Sequence, residues 1–354
     1  MGTKTFDKWM IYGANGYTGR RIARQAVSNG LQPVLAGRDE GRVQSLATEL
    51  GCESRVFSLA APTAVAEHLR GVAAVLHCAG PFSVTARPML EACLTAGVHY
   101  LDITGEIDVI ELAAQHHQRA VAAGICLMPA VGMDVVPSDC LAAQLAQLLP
   151  GAVKLALAFT GLQSISHGTA ATIWENVGQG GRIRRGGQIV RVPVAWKIQS
   201  IPFSSGPKWA MTIPWGDVSS AFHTTGIPDI EVYAAVPRGQ LGVIRAFRGL
   251  ASLAGLRPIQ AAGRWWIDRR IRGPGADELR QGRTEFWGRV TDGAGRSVEA
   301  TLETPNGYAL TVQASLAVLH QVLAGNVVPG FSTPARALGG GFIETLPEVT
   351  FRRR

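Results

Sequence analysis

Three glycines stand three residues apart near the start of the chain, in YGANGYTGR at residues 12–20. The apolar run at residues 9–12 is typical of a short buried strand, and the apolar residues at 22, 23, 26 and 27 recur at helical spacing. Glycines at such a turn accept positive φ and allow the first amides of the helix to approach an anion closely. The turn predicts a phosphate cradle for a dinucleotide, made by Gly13, Ala14, Asn15, Gly16, Tyr17, Thr18 and Gly19. The alternative is an ordinary glycine-rich turn, because G-x-x-G-x-x-G departs from the G-x-G-x-x-G fingerprint.

Arg38 indicates which dinucleotide the turn would hold. A second strand is predicted at residues 33–36, and it ends at Gly37 and Arg38. At this point of a dinucleotide fold, about twenty residues after the glycines, an acid would bind the ribose 2′-hydroxyl, whereas an arginine can hold a 2′-phosphate. Arg38 therefore favours NADP(H) over NAD(H). Asp39 is the alternative ribose ligand, although its place before a helical pattern favours a capping role.

Small and polar residues follow three later predicted strands. The fourth strand ends in CAGPF, where Ala79, Gly80 and Pro81 would allow the ribose and pyrophosphate of the cofactor to approach closely. The polar residues after the fifth and sixth strands are Asp102, Thr104, Glu106, Asp134, Ser138 and Asp139. Ligands of parallel sheets bind beyond the carboxyl ends of the strands, so these residues are candidates for a site that includes Thr104. Each also has a simpler interpretation as a helix cap.

The elements that must position these residues alternate regularly in the first third of the chain. Six apolar strands alternate with helical patterns, which predicts an α/β fold with a doubly wound parallel (Rossmann) sheet covered on both faces. From Lys154 onward, strands with alternating polarity and a hairpin tip at residues 292–295 predict a second α+β domain on a largely antiparallel sheet. We expect an NADP-binding domain at residues 1–135, a second domain at 136–305, and a C-terminal helix and tail at 306–354 that return to the first domain.

Length and composition favour a folded, two-domain protein. The chain has 354 residues, of which 47% are hydrophobic and 17% are charged. Its five cysteines show no C-x-x-C spacing, which indicates buried reduced thiols rather than disulfides or a metal site. The first residues lack the apolar segment of a signal peptide, and no long uncharged apolar run follows. We expect a cytoplasmic protein.

Nearly all of the net charge lies in one stretch. Residues 236–273 contain eight arginines and one acid, and therefore carry +7 of the formal net charge of +8. Leucine, isoleucine, phenylalanine and the pair Trp265 and Trp266 are interspersed among these arginines, as in a basic segment that lies on an anionic membrane at its inner face. The alternatives are a solvated pair of surface helices and an oligomer contact, for example in a homodimer. Nucleic-acid binding is not expected, because no recognised module accompanies the charge.

The motifs together resemble one known family. YGANGYTGR, AGR, CAGPF, ACLTAGVHYLDITGE and PAVGMDVVPSDCLA are similar to the saccharopine dehydrogenase-like oxidoreductases, in particular to the bacterial branch with the trans-acting enoyl reductases of mycobacteria. Later stretches match in the same order, so the resemblance spans nearly the whole chain. It implies a Rossmann domain that binds NADP(H), a second domain completed by the return of the chain, and hydride transfer to a polarised double bond. Asn15 stands where the family usually has threonine, and Met133 where it usually has phenylalanine.

These expectations lead to a functional hypothesis. The chain would be an NADPH-dependent oxidoreductase that delivers hydride to a C=C or C=N bond of an apolar or lipid-like small molecule. The product also needs a proton, and His167 and Asp134 are the candidate donors, His167 because an imidazole titrates near neutrality. Solvent is a further candidate. The alternative function is a protein that binds NADPH without catalysis and acts at a membrane surface or as a scaffold.

Overall fold

The computed structural model of the chain describes residues 8–161, 170, 174, 180–242, 244, 256–270 and 282–353. The chain divides into two compact units. Unit 1 comprises Met1–Val136 and Leu310–Leu338, and unit 2 comprises Pro137–Ala309 and Gly339–Arg354.

Unit 1 is built on a seven-stranded parallel sheet. Its strands are β1 Trp9–Tyr12, β2 Val34–Gly37, β3 Ser54–Val56, β4 Ala74–His77, β5 His99–Asp102, β6 Cys126–Met128 and β15 Gly330–Phe331. The spatial order is β15-β6-β5-β4-β1-β2-β3, so the predicted doubly wound fold is confirmed. The order reverses beside β1, and ligands of open α/β sheets bind at such a switch point.

Helices connect these strands: α1 Tyr17–Ser28, α2 Glu40–Leu50, α3 Pro62–His68, α4 Phe82–Ala96, α5 Ile107–Gln115 and α6 His117–Ala122. The pattern of residues 107–123 predicts one helix, but His116 ends α5 and precedes α6. The pattern of residues 88–96 predicts a fourth helix that begins at Pro88, whereas α4 begins at Phe82. At this earlier start, Glu106 of the next βα unit accepts a hydrogen bond from the amide of Phe82 at 3.1 Å.

The strands of unit 1 form a core that is apolar on both sides. Residues Trp9 to Tyr12 of β1 are all buried, and so are the four residues of β2 and of β4. This is the pattern expected of a parallel sheet covered by helices, and it explains the continuous apolar runs in the sequence. Phe331 of β15 packs into the same core, so a segment far along the chain completes unit 1.

Unit 2 is built on a mixed, mostly antiparallel sheet of nine strands. They are β7 Ala152–Phe159, β8 Gly181–Arg185, β9 Gln188–Val192, β10 Ile198–Phe203, β11 Gly206–Thr212, β12 Asp229–Ala235, β13 Arg283–Asp292, β14 Ser297–Pro305 and β16 Thr350–Arg353. The main path runs β10-β11-β12-β7-β13-β14-β16, and β8 pairs with β12 and β9. The predicted second sheet is confirmed, with one parallel pair, β7 and β12, among antiparallel ones.

The remaining helices are α7 Val136–Leu148, α8 Asp217–Thr225, α9 Arg257–Arg270, α10 Gly307–Leu323 and α11 Pro334–Leu338, with 3-10 helices at Arg238–Gln240 and Gly340–Thr345. The predicted hairpin tip joins β13 to β14, where Asp292 accepts hydrogen bonds from the amides of Ala294 and Arg296. The last residues differ from the expectation for 306–354. Gly339–Arg354 group with unit 2, because β16 pairs with β14.

No helix among the described residues is long and apolar enough to cross a membrane. Within the same described part of the chain, no cluster of His, Cys, Asp and Glu is arranged to hold a metal ion. The five cysteines are free thiols: Cys93, Cys126 and Cys140 are buried, and Cys52 and Cys78 are half-buried.

Candidate active site

The turn after β1 leaves no room for side chains at two of its glycines. Gly13 has φ of +82°, and a β-carbon there would lie 2.8 Å from the backbone nitrogen of Ala79. A β-carbon at Gly19 would lie 2.3 Å from the carbonyl oxygen of Gly13. Gly13 therefore makes the tight turn, and Gly19 lets α1 pack directly against it. These are the roles of the first and third glycines in a dinucleotide-binding turn.

Gly16 provides the third feature of such a turn, a bare helix N-terminus. It is exposed and is the N-cap residue of α1, with φ of −73° and ψ of 172°. It has no side chain with which to cap the helix, and the first turn of α1 contains no acidic residue. The positive end of the helix dipole is therefore not neutralised by a carboxylate, which is the arrangement that binds phosphate.

Arg38 and Asp39 follow β2 and have separate roles. Asp39 is the N-cap residue of α2, and its Oδ1 accepts a hydrogen bond from the amide of Arg42 at 3.0 Å. The prediction that Asp39 caps a helix is confirmed. Arg38 is exposed. Burial raises the pKa of the Tyr12 hydroxyl to about 12, and the positive charge of Arg38 acts against this rise. Arg38 therefore lies close enough to the end of β1 for its charge to act there.

Asn15 connects the glycine turn to the end of β2. A β-carbon at Gly37 would lie 2.9 Å from Oδ1 of Asn15, so this side chain occupies the space that Gly37 leaves open. The two strands pair in parallel, with Tyr12 opposite Ala36. The phosphate turn and Arg38 are therefore on neighbouring strand ends, as the sequence predicts for a site that binds pyrophosphate and a 2′-phosphate together.

A hydrogen-bonded chain supports the loop after β4. Ala79 contacts the turn at Gly13, and the peptide bond between Gly80 and Pro81 is cis. The hydroxyl of Thr85 donates to the carbonyl oxygen of Ala79 at 2.6 Å, and Nε2 of His77 lies 3.0 Å from that hydroxyl. Burial lowers the pKa of His77 to about 3, so its ring is neutral. Because the hydroxyl of Thr85 donates to Ala79, it accepts from Nε2–H of His77 in the tautomer that completes the chain. Sequence reasoning did not identify this pair.

Asp102 joins the ends of β5 and β6. It is fully buried, and it accepts hydrogen bonds from the hydroxyl of Tyr100 at 2.6 Å and from the amides of Thr104 at 2.9 Å and Ala130 at 2.8 Å. Burial raises the pKa of Asp102 to about 6, and the three hydrogen bonds act against that rise. Ala130 has a positive φ of 62°. Asp102 therefore fixes the two loops relative to each other.

Thr104 and Glu106 shape the turn that follows β5. Thr104 is fully buried, and its Oγ1 accepts a hydrogen bond from the amide of Glu106 at 3.0 Å. Glu106 in turn binds the amide of Phe82 at the start of α4. The carboxylate thus caps the helix of the neighbouring βα unit rather than its own helix. Contact between Thr104 and the cofactor stays a prediction.

Asp134 lies beside this turn, on the loop that follows β6. A β-carbon at Gly105 would lie 2.9 Å from Oδ2 of Asp134, so the carboxyl packs against the backbone after β5. Asp134 is half-buried, and burial raises the pKa of its carboxyl to about 7. The loop is held by Thr311 of α10, whose Oγ1 accepts a hydrogen bond from the amide of Met133 at 3.1 Å. Sequence reasoning missed Thr311.

The other candidate residues separate into two groups. Asp139 is fully buried in unit 2, and its Oδ1 accepts a hydrogen bond from the hydroxyl of Thr224 at 2.6 Å. It therefore binds α8 within its own unit. His167, the second candidate proton donor, lies outside the described residues. Unit 1 brings together the glycine turn, Arg38 and the loop of Ala79–Pro81, while Asp134 lies on the loop that follows β6 of the same sheet.

Comparison with known proteins shows which domains the sequence of this region resembles. Residues 9–128 match the family model of the saccharopine dehydrogenase NADP binding domain. The chain is 35% identical over 147 residues to a probable mitochondrial saccharopine dehydrogenase-like oxidoreductase of Arabidopsis thaliana, over 37% of this chain and 32% of that protein. It is 33% identical over 141 residues to the trans-acting enoyl reductase of Mycobacterium leprae (strain TN), over 37% of this chain and 33% of that protein. The match spans about a third of the length of these curated relatives.

A solved structure extends the likeness in fold to both units. The apo histidine-tagged saccharopine dehydrogenase (L-Glu forming) from Saccharomyces cerevisiae matches with a TM-score of 0.66, over 98% of this chain and all of that one. The sequence identity is 10%, so this likeness concerns the fold. Residues 9–128 are similar to the family model in sequence, and they also lie within the part of the chain that matches this solved structure in fold.

Proposed function

We propose that this chain, whose residues 9–128 form an NADP-binding domain of the saccharopine dehydrogenase type, is an NADPH-dependent reductase. It reduces a polarised C=C or C=N bond of an apolar or lipid-like small molecule. The observation that carries the proposal is the glycine turn between β1 and α1, whose geometry fits a dinucleotide phosphate and which lies within the residues that match the NADP-binding family model. Bound NADPH supplies the hydride, and the protein supplies position, electrostatics and a proton.

The residues present fit this cofactor. Gly13 and Gly19 leave backbone where side chains would block the turn, and Gly16 leaves the N-terminus of α1 bare. Arg38 is exposed at the end of β2, where a 2′-phosphate would be held, and Asp39 is occupied as a helix cap. The fit therefore supports NADPH over NADH. Ala79 and Gly80 offer a backbone surface without large side chains beside the turn.

Asp134 is the proposed proton donor. Hydride addition to one atom of the double bond places an electron pair on the other atom, which must then take up a proton. A carboxyl with a pKa of about 7 is partly protonated at neutral pH, and general acids work best when their pKa lies near the working pH. Asp134 gives its proton to the substrate and regains one from solvent. His167 is the competing donor, and a variant at each position distinguishes the two.

Two features support a substrate with such a bond. Proteins similar to part of this chain include one named trans-acting enoyl reductase. An enoyl group contains a polarised C=C bond. Other relatives are named saccharopine dehydrogenase-like oxidoreductase, and a C=N bond is the second type of acceptor that the proposal includes. The two bond types share the same requirement for one hydride and one proton. We therefore propose the reaction class and leave the substrate as an apolar enoyl or imine compound.

Oxidation of NADPH with a panel of enoyl and imine compounds tests the proposal. We expect turnover by the wild type, and a fall of about 100-fold in kcat for Asp134→Asn. The Kd of NADPH should stay unchanged, because Asp134 lies away from the phosphate turn. Asp108→Asn, an exposed acid on α5, is the matched control and should keep full activity. Full activity of Asp134→Asn would remove Asp134 as the donor, and NADPH binding without turnover of any compound would favour the non-catalytic alternative.

A further inference from the structure

Helix α9 has one face packed against unit 2. Nε1 of Trp174 donates to the carbonyl oxygen of Gln260 at 3.1 Å, and Nε2 of Gln260 donates to the carbonyl oxygen of Trp174 at 3.1 Å. A β-carbon at Gly263 would collide with the same indole, and Ile267 is only 5% exposed. Residues 260, 263 and 267 recur at helical spacing, so they define a single buried face.

Another face of α9 is apolar and exposed. Trp265 is 59% exposed and Trp266 54% exposed, and Ile259 is also exposed. At about 100° per residue, these side chains and Ala262 cover about a third of the helix circumference, in which Trp265 lies opposite the buried face. Soluble proteins rarely expose large apolar side chains side by side, and such patches mark interaction surfaces. Packing among the described residues does not account for the exposed indoles.

The helix that carries the exposed indoles also carries exposed arginines. Arg264 and Arg269 are exposed, and the guanidinium of Arg269 lies 3.9 Å from the centre of the Trp265 ring. The helix belongs to the stretch 236–273, which has eight arginines and one acid. A cation placed on an indole combines the two groups that favour the level of lipid headgroups. The surface thus has both the apolar area and the charge that an anionic bilayer would complement.

We propose that α9 lies flat on an anionic lipid bilayer, with Trp265 and Trp266 at the boundary between headgroups and acyl chains and the arginines on lipid phosphates. A second copy of the chain fits this surface less well, because a two-fold contact would place two stretches of charge +7 against each other. The proposal is independent of the reductase activity. A protein that docks in this way acts at the membrane surface, where apolar compounds concentrate.

Flotation with vesicles tests this inference on the full-length chain. We expect binding to vesicles of phosphatidylcholine with phosphatidylglycerol at low salt, no binding to phosphatidylcholine alone, and weakening as salt is added. Arg264→Gln with Arg269→Gln should weaken partitioning about 30-fold. Trp265→Ser with Trp266→Ser should weaken it at least as much. The four substituted side chains are exposed, so we expect both double variants to fold. Unchanged NADPH binding would confirm that they do.

Trp196→Ser is the matched control, because this exposed tryptophan lies elsewhere in unit 2, and it should float like the wild type. Failure of the wild type to float with anionic vesicles would overturn the proposal. So would unchanged flotation of both double variants. Loss of a dimer in the tryptophan variant without loss of flotation would reassign the surface to a second copy. Equal competition by single-stranded DNA of matched charge would reassign it to nucleic acid.

Discussion

The carboxyl of Asp134 rests against the backbone of Gly105, so closely that a β-carbon at position 105 would lie 2.9 Å from its Oδ2 and 3.2 Å from its Cβ. The contact places an acid with a pKa of about 7 beside the turn after β5. It also explains why that turn carries glycine between Thr104 and Glu106. The position of the Asp134 carboxyl therefore depends on the absence of a side chain at Gly105.

Gly105→Ala should displace the carboxyl of Asp134 without touching the phosphate turn. We expect kcat to fall about 10-fold or more, since proton transfer depends on position, and the Kd of NADPH to stay the same. Gly41→Ala is the matched control, because a β-carbon there meets nothing closer than 4.0 Å. Steady-state kinetics and NADPH titration of both variants decide the matter. Equal kcat for Gly105→Ala and the wild type would contradict the proposed role of the contact.

The pH dependence of the reaction follows from the raised pKa of Asp134. A donor must be protonated, so kcat should be highest below about pH 7 and fall as the pH rises through the pKa. Asp134→Asn cannot titrate, and its residual rate should therefore lack this fall. The range from pH 6 to pH 8 brackets the pKa of about 7. If kcat of the wild type stays constant over this range, Asp134 is excluded as the proton donor.

The glycine turn allows binding to be separated from folding. A β-carbon at Gly16 would lie 3.2 Å from the carbonyl oxygen of Gly13, so Gly16→Ala should cost less stability than a clash while weakening NADPH binding, because the methyl group would project where the pyrophosphate approaches. Gly19→Ala should reduce both, since a β-carbon would strike the carbonyl oxygen of Gly13. We expect the second variant to lose about 1–3 kcal/mol of stability. Urea unfolding and NADPH titration measure the two effects.

His77 should make the protein sensitive to acid. Burial lowers its pKa to about 3, below the usual value of 6.5, so the folded state binds fewer protons than the unfolded state between these values. Its contribution to stability is complete above pH 6.5 and is lost as the pH falls, by about 1.4 kcal/mol per pH unit. His77→Gln keeps a donor for Thr85 but does not titrate. Urea unfolding at pH 7 and pH 5 should therefore show a smaller loss for this variant.

His320→Gln serves as the control for that comparison, because the side chain is exposed on α10. It should lose the same stability on acidification as the wild type. Asp102 titrates in all three proteins, so its effect cancels between them. Identical losses for the wild type and His77→Gln would show that the buried imidazole does not carry the acid sensitivity.

The parallel sheet could be predicted because its signals are local. Each strand of unit 1 except β3 and β15 is an apolar run followed by a turn and a helical pattern, and these neighbours in sequence are also neighbours in space. The roles of Gly13 and Gly19 follow from the same local pattern. β15 has only two residues, and its pairing with Cys126 and Leu127 spans about two hundred positions of the chain, so no periodicity marks it.

The contacts that shape the candidate site were harder to predict. Thr311 binds the amide of Met133 across 178 positions, and Glu106 caps a helix that precedes it in the sequence. Both interactions follow from which strand ends meet in the folded sheet. The parallel pairing of β7 with β12 was likewise invisible, because strand patterns do not record the direction of the partner.

Titration of the purified protein with NADPH and NADH, in the wild type and in Arg38→Ala, tests the cofactor site most directly. We expect the wild type to prefer NADPH, and Arg38→Ala to bind NADPH about 10- to 100-fold more weakly while its affinity for NADH stays unchanged, as for a lost hydrogen bond to a charged group. Arg42→Ala, an exposed arginine one turn further along, should bind both nucleotides like the wild type. If the wild type binds neither nucleotide, or if Arg38→Ala keeps the full preference for NADPH, the proposed site is contradicted.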